Sequence, residues 1–296
     1  MNSEDIVISI CCTTYNHEKY IRQCLDGFVM QKTNFAFEIL VHDDASTDST
    51  AVIVKEYSDN YPHLFRCVYQ TENQFLKQNT LINILFKMAK GKYLAICEGD
   101  DYWTDSYKLQ KQVDFLETNS KFNICFHNTL ELFENNAPKS FNYCDFGSDM
   151  QLDFKQMIAK NYIPTCSAVF RNNTNWSTLP SEFFKSKFGD WYLHLLNIRN
   201  SKAWYINEVM GVHRLLNNSE WSPLTKTIQI KYIIETFNYF KITFYEEKLL
   251  IEDIQSKYIL DYYYLIIKNG SLKELLLNLN FIKLYFANKI HKIFIK

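Results

Sequence analysis

Glycine and proline are scarce in this chain, and neither sign of charge prevails. The 296 residues include 7 glycines and 5 prolines, which is far from the composition of a disordered chain. The 32 basic residues nearly balance the 33 acidic ones, so the formal charge of −1 gives no reason to expect nucleic acid as a partner. The sequence also lacks any run of 18 apolar residues, which argues against a membrane-spanning helix.

Closely spaced cysteine pairs and a secretion leader are missing as well. The 8 cysteines include no C-x-x-C pair, and most of them lie in apolar runs. We interpret them as reduced core residues of a protein in a reducing compartment. The first five residues are acidic and lead directly into a strand, without a basic or apolar leader. We therefore expect a cytoplasmic protein.

Apolar and aromatic side chains are plentiful, at 47% and 16% of the residues, so a large core is available. Strand and helix patterns alternate over the first hundred residues, which is typical of an α/β protein with a parallel sheet. The predicted strands are residues 6–12, 37–41, 65–69 and 93–97, and the last helix before residue 93 passes through Leu81, Leu85 and Met88. Residues 120–225 are expected to mix short strands and loops, and the remainder is expected to be helical.

Polar clusters follow three of the predicted strands. They are residues 13–16 after the first strand, Asp43 and Asp44 after the second, and residues 98–101 after the fourth. Crossovers between parallel strands are right-handed and ligands bind at the carboxyl ends of the strands, so we expect these clusters to converge at one edge of the sheet.

The segment of residues 98–101, which we call the acidic turn, contains three carboxylates within four residues. Such a set suits a hard divalent cation that keeps coordination positions open for substrate phosphates. The alternative is a solvated turn in which Thr104 or Asp105 caps the next helix. Both interpretations stay open on the residues alone.

The second cluster also has two interpretations. Asx-turn chemistry explains acidic residues before a helix without any ligand, and we favour that role for Asp48. Asp44 instead stands at the strand end, where its carboxylate can accept hydrogen bonds from a base or a ribose. The first loop contains no glycine, which excludes the G-x-G-x-x-G and G-K-[ST] phosphate loops and, with them, dinucleotide-binding and P-loop proteins.

Three ordered segments resemble the family 2 glycosyltransferases of GT-A fold. They are ISICCTTYN at residues 8–16, EILVHDDASTD at 38–48, and GKY at 91–93 leading into EGDDYW at 98–103. The resemblance covers about the first 120 residues and is closest to bacterial polysaccharide-biosynthesis members with an EGDDYW motif. It implies a Rossmann-like nucleotide-binding domain with a mostly parallel central sheet, followed by a C-terminal helical region.

The resemblance also implies roles for individual residues. Thr13 and Tyr15 would line the nucleotide pocket, with Tyr15 against the base, and Asp44 would hold the base or its ribose. Asp100 would contact the ribose and the metal region, and Asp101 would be the principal ligand of Mn²⁺ or Mg²⁺. Thr13 stands where many relatives have proline.

A second match lies downstream, at FGDW in residues 188–191. By resemblance Asp190 is the general base, because an acceptor hydroxyl needs a carboxylate within about 3 Å to receive its proton during attack. The alternative is that Asp190 caps the helix through Leu193 and Leu196. Trp103 and Trp191 are expected to pack in the core or at the rim of a cleft.

The segment YINEVMGVHR, residues 205–214, continues this match and ends at Arg214. A guanidinium group matches phosphate oxygens, so Arg214 is a candidate contact for the diphosphate. Its alternative is an ion pair with Glu208 or Glu220. Leu216 occupies a position where relatives commonly have histidine.

The resemblance and these residues together predict a metal-dependent inverting transferase. Its expected substrates are a UDP-linked sugar donor and a glycan or lipid-linked glycan acceptor. Residues 1–225 would form the GT-A domain, with 1–120 as its nucleotide-sugar-binding half and 121–225 as its acceptor-side half. Residues 226–296 would be helical, and the basic amphipathic part at 271–296 would contact a membrane surface, a partner chain or its own domain.

Two other classes of protein are alternatives to a glycosyltransferase. A sugar-phosphate nucleotidyltransferase has a related α/β layout but needs a glycine-rich basic loop after the first strand, which residues 13–16 do not provide. A non-catalytic nucleotide-sugar-binding or scaffold protein of the same fold stays open.

Overall fold

A computed structural model describes residues 5–74, 81–133, 138–217, 224–269, 276 and 278–294. Within these residues ten strands form one sheet flanked by helices, which confirms the α/β prediction. The strands are, in chain order, β1 Ile8–Thr14, β2 Phe37–Asp43, β3 Phe65–Tyr69, β4 Tyr93–Ile96, β5 Tyr102–Trp103, β6 Phe122–Phe133, β7 Pro138–Asn142, β8 Met150–Leu152, β9 Val169–Arg171 and β10 Lys202–Leu215.

Eight α-helices lie in the same part of the chain. They are α1 Ile21–Val29, α2 Thr50–Asn60, α3 Lys108–Thr118, α4 Phe154–Ala159, α5 Gly189–Ile198, α6 Lys226–Thr243, α7 Lys248–Lys268 and α8 Leu279–Phe294. The helix predicted through Leu81 and Leu85 occurs as a π-helical turn, Leu81–Phe86.

Parallel pairing in the order β3-β2-β1-β4 builds the first half of the sheet, as the alternating pattern predicts. β3 has the predicted bounds, whereas β1 begins and ends two residues later than the apolar run. The reason is pairing: Ile8 is aligned with the first residues of both neighbours, Phe37 and Tyr93, and Thr14 is aligned with Asp43. The polar end of β1 is therefore part of the ladder.

Strand directions are mixed in the second half of the sheet. β9 runs antiparallel between β4 and β6, and β10 pairs in parallel with β6. The prediction of only short strands in residues 120–225 is wrong, because β6 has 12 residues and β10 has 14. Polar residues such as His127 and Asn128 interrupt their apolar pattern, and register shifts between Ile206 and Gly211 break the period of two.

A buried polar network fixes the amino end of the first strands. The Glu38 carboxylate accepts hydrogen bonds from the Ser9 hydroxyl at 2.7 Å, the Lys90 amide at 2.8 Å and the Arg66 guanidinium at 2.9 Å. Gly91 lies against this network, where a Cβ would come within 2.5 Å of the Ser9 nitrogen. Glycine is thus the residue that allows the close approach.

Cysteines and tryptophans mostly occupy the core, as expected. All eight cysteines are free; seven are buried, and Cys67 is partly exposed because it lies on the outer strand β3. Trp103 and Trp191 are both buried. The chain divides into two compact units, of which the first comprises Met1–Phe154, Tyr162–Leu179 and His194–Leu216, and the second comprises Lys155–Asn161, Pro180–Leu193 and Asn217–Lys296.

The helices of the described ranges are all too short or too polar to cross a membrane. In the second unit, α6, α7 and α8 pack through Ile234, Ile259, Tyr262 and Phe281. The predicted amphipathic segment begins at residues 271–275, which lie outside the described residues, and continues as α8.

Candidate nucleotide-sugar site

The acidic turn follows β4 and is closed by a hydrogen bond from the Asp101 amide to the Glu98 carbonyl, at 3.0 Å. Glu98 is exposed, Asp100 is half-buried and Asp101 is buried. At Gly99 a Cβ would lie 2.6 Å from the Thr14 hydroxyl oxygen, so only glycine lets the turn lie this close to β1.

The predicted convergence of three strand ends is confirmed. The Gly99 amide donates to the Thr13 carbonyl at 2.9 Å, and the Asp44 amide donates to the Thr14 carbonyl at 3.0 Å. These two bonds join the acidic turn, the first loop and the end of β2 at the carboxyl edge of the sheet. Thr13, Asp44, Asp100 and the rest of the acidic turn are therefore neighbours.

The three aspartates after β2 have different surroundings. Asp43 accepts hydrogen bonds from the amide and hydroxyl of Ser46, three residues on, at 3.1 and 2.6 Å. Asp48 accepts from the amide of Thr50, two residues on, at 2.9 Å, which confirms the Asx turn predicted for it, and also from the amide of Glu18. One Asp44 oxygen accepts from the Gln74 amide at 2.7 Å. Local hydrogen bonds thus account for Asp43 and Asp48, whereas the carboxylate of Asp44 bonds to a residue 30 positions away.

The first loop is tied to the second through Asn16. The Asn16 amide donates to the Ser46 hydroxyl at 2.9 Å, and its side chain accepts from the Thr47 amide at 2.8 Å. Asn16 has a φ of 54°, a left-handed conformation that asparagine tolerates better than most residues. Tyr15, just before it in the chain, is 43% exposed.

The carboxylate of Asp101 is hydrogen-bonded to the backbone of β10. Its Oδ1 accepts a hydrogen bond from the Arg214 amide at 2.7 Å. Burial, and next the neighbouring Asp100 carboxylate, raise the pKa of Asp101 well above its usual range, while the Arg214 amide opposes the shift. Asp100 Oδ1 is buried without a hydrogen-bond partner. The charge of Arg214 also lowers the pKa of Asp101 but does not outweigh the two effects that raise it.

The Arg214 guanidinium supports the turn from the other side. It donates to the Asp100 carbonyl and to the Gln23 side chain, and it lies between the rings of Tyr20 and Tyr102, at 5.0 and 4.5 Å from their centres. The ion pair considered with Glu208 is wrong, since that carboxylate pairs with Lys111 at 2.6 Å.

Glu220, the other partner considered for Arg214, lies outside the described residues. Leu216, the residue at the usual histidine position, is buried. Sequence reasoning missed Gln23, Tyr20 and Tyr102 as neighbours of Arg214. A weak signal existed, because Tyr20 and Gln23 are three residues apart at the start of α1 and so share a face.

Asp190 belongs to the second compact unit. It lies in the first turn of α5, where a carboxylate interacts favourably with the helix dipole, and its Oδ2 accepts from the Asn161 amide group at 2.8 Å. The next residue, Trp191, is buried and donates to the Met157 carbonyl at 2.7 Å. These contacts fix the first turn of α5 on the segment of residues 155–161.

The acidic turn has the donor chemistry of a divalent-cation site, but with few ligands. In the described ranges no three histidine, cysteine, aspartate or glutamate side chains are grouped to hold a metal. Mg²⁺ usually takes only one or two carboxylates, with substrate phosphates and water completing its coordination. Asp100 and Asp101 fit that pattern, because they are adjacent hard oxygen donors and Asp100 Oδ1 has no other partner.

Solved structures with the same fold are glycosyltransferases. TarS of S. aureus, residues 1–349 in complex with UDP, has a TM-score of 0.63 and 17% identity, covering 96% of this chain and 81% of its own. The mannosyltransferase PcManGT of Pyrobaculum calidifontis, in complex with GDP-Man and Mn²⁺, has a TM-score of 0.53 and 13% identity, covering 100% and 91%. At these identities the likeness establishes the GT-A fold.

Sequence comparison adds the family. The family described as Glycosyl transferase family 2 matches residues 9–175, and the chain belongs to that family. An uncharacterized protein of Mycobacterium tuberculosis is 37% identical over 215 residues, which are 72% of this chain and 60% of the relative. TuaG of Bacillus subtilis, provisionally named a teichuronic acid biosynthesis glycosyltransferase, is 27% identical over 80% of this chain and 92% of its own length. The chain thus spans about 60% of the mycobacterial relative.

Proposed function

We propose that this protein transfers a sugar from a UDP-sugar to an acceptor hydroxyl, with inversion, in the synthesis of a cell-surface polysaccharide. The observation that supports this most directly is the adjacent pair Asp100 and Asp101, whose turn is hydrogen-bonded to the end of β1 next to Tyr15, where the Asp44 amide also bonds. The UDP complex of TarS supports the choice of nucleotide, and the name of TuaG supports the choice of product class.

Each part of the donor has a proposed partner. Tyr15 stacks on the base with its exposed ring, and the second carboxylate oxygen of Asp44 accepts from the base or the ribose. Asp100 and Asp101 would hold Mn²⁺ or Mg²⁺, and the cation would neutralise the charge that grows on the leaving diphosphate. Because Asp100 is the less buried of the two, we propose that it offers the first ligand oxygen and that Asp101, held on the Arg214 amide, supports it.

Arg214 and Asp190 have different proposed tasks. Arg214 holds the backbone of the acidic turn through the Asp100 carbonyl, and its guanidinium acts on the diphosphate through that turn. Asp190 receives the proton of the acceptor hydroxyl while that oxygen attacks the anomeric carbon. A single attack from the face opposite the leaving group gives a β-linkage from an α-linked donor. We propose that this reaction takes place at the cytoplasmic face of the membrane, on a glycan or lipid-linked glycan acceptor. In this proposal α8 contacts the membrane surface.

Binding and turnover can be tested separately. Titration calorimetry with UDP and Mn²⁺ should give binding for the wild type and for Asp114→Asn, an exposed control on α3, but weak binding for Asp100→Asn. Asp190→Asn should keep the UDP affinity of the wild type and lose about 10²- to 10⁴-fold in transfer rate, the usual contribution of a general base. Wild-type binding without any turnover over a panel of UDP-sugars and acceptors would instead favour the scaffold interpretation.

A further inference from the structure

A fully buried lysine lies at the start of α3, behind the acidic turn. Lys108 has no exposed surface; its Nζ donates to the Gln112 side chain at 2.7 Å and lies 4.1 Å from the centre of the Trp103 ring. No carboxylate of the described residues forms an ion pair with it, and burial lowers the pKa of Lys108 to about 8.

A fully buried lysine destabilises the folded state. Removing an ammonium group from water costs several kcal/mol, and apolar side chains of the same volume often serve a core equally well or better. Packing alone therefore does not account for Lys108. A buried charge that reduces stability is instead typical of groups retained for function.

The contacts of Lys108 lead to the acidic turn along two routes. In the first, Gln112 accepts from Lys108 with its oxygen, so its NH₂ group is directed to the carbonyls of Cys125 and Ser167, at 2.7 and 2.9 Å. In the second, the Trp103 indole under the ammonium donates to the Cys166 carbonyl at 2.7 Å. Both routes fix the short turn Thr165–Ser167.

That short turn lies beside Asp101, because the Cys166 thiol and the Asp101 carboxylate are close enough to shift each other's pKa. Trp103 also follows Asp101 by two residues and has little room to move. A Cβ on Gly27 would lie 3.0 Å from its backbone nitrogen, and the Phe28 ring is centred 4.8 Å from the indole. A shift of Trp103 would therefore displace the acidic turn.

We propose that Lys108 is the positioning residue of the acidic turn: its ammonium orients Trp103 and Gln112, and these hold Asp100 and Asp101 in the arrangement that binds a cation and a diphosphate. This inference rests on the proposed function, since it assigns Lys108 to the metal and diphosphate part of that site.

Lys108→Met tests the idea, because it keeps the length of the side chain and removes its charge. Outer residues that orient metal ligands typically contribute 10- to 100-fold to metal affinity. We expect the Kd of UDP in the presence of Mn²⁺ to rise by about 10- to 100-fold, with the free energy of unfolding equal to or above that of the wild type. The Kd of uridine, which lacks the diphosphate, should not change. Lys111→Met on the same helix, whose lysine pairs with Asp105 at the surface, should behave like the wild type.

The outcomes separate the two proposals. A wild type that does not bind UDP in an Mn²⁺-dependent manner refutes the proposed site itself. A wild type that binds, with a Lys108→Met variant that also binds normally but unfolds more easily, overturns the positioning role and leaves the proposed function intact. If Lys108→Met does not fold, Trp103→Phe decides: it removes the N–H donated to Cys166, and normal UDP affinity in that variant also overturns the role.

Discussion

His194 gives a quantitative link between burial and pH. Its imidazole is fully buried on α5, and neither ring nitrogen has a hydrogen-bond partner among the residues that the structure describes. Burial lowers the pKa of His194 from 6.5 to about 3, so the folded protein keeps this ring neutral. The unfolded chain takes up a proton at its ordinary pKa. The pKa of His194 is lower in the folded protein than in the unfolded chain. Its contribution to the free energy of unfolding is therefore fully present above pH 6.5 and is lost as the pH falls towards 3.

The size of the effect follows from linkage. Between those two pH values the unfolded chain binds one more proton, so the free energy of unfolding falls by about 1.4 kcal/mol per pH unit. From pH 7 to pH 5 the contribution of His194 amounts to about 2 kcal/mol. Other buried groups also make the free energy of unfolding depend on pH. Their contributions are the same in the wild type and in a His194 variant, so they cancel when the two are compared.

The assay is urea unfolding of the wild type and His194→Leu at pH 7 and pH 5. We expect the wild type to lose about 2 kcal/mol more than the variant over this interval. At pH 7 the variant should be at least as stable, because no unpaired polar atoms stay buried. His63→Leu, at an exposed position, should follow the wild type. Equal losses in the wild type and His194→Leu would refute the reasoning.

Three further changes test the site and its support. Gly99→Ala should weaken the thermal stabilisation by UDP and Mn²⁺, because its Cβ would lie 2.6 Å from the Thr14 hydroxyl; an unchanged shift would mean that the turn adapts. Glu38→Gln should lower the free energy of unfolding by about 2 kcal/mol, below the full value for a buried ion pair because Arg66 is partly exposed, and urea titration measures it. Tyr57→Phe, which loses the hydrogen bond to Asp26, should cost about 1 kcal/mol in the same titration, and no loss would show that water replaces the bond.

Local pattern predicted the first half of the sheet and the position of the acidic turn. Strands β1 to β4 are apolar runs bounded by polar residues, and the Asx turn of Asp48 depends on the Thr50 amide, only two residues on. The long strands β6 and β10 escaped prediction because polar residues and register shifts obscure their period. Side-chain partners distant in sequence escaped as well: Arg214 meets Gln23 across 191 positions, a pairing that no local pattern encodes.

The adjacent carboxylates Asp100 and Asp101 illustrate the same limit. Sequence resemblance singled out Asp100 and Asp101 together, but their different burial depends on the Arg214 amide, which is 113 positions away. Whether Asp190 acts as the general base stays a prediction, as do the roles of Tyr15 and Asp44.

The bond between the Asp101 carboxylate and β10 also bears on the order in which the protein matures during synthesis. Translation delivers β1 to β4 and the acidic turn long before the segment that carries Arg214, and contacts between distant parts of a chain form late. A nascent polypeptide halted anywhere before β10 therefore has the loops after β1, β2 and β4 but not the amide that holds Asp101. Until that strand leaves the ribosome, an incomplete chain would therefore lack the arrangement of Asp100 and Asp101 that we propose for cation binding.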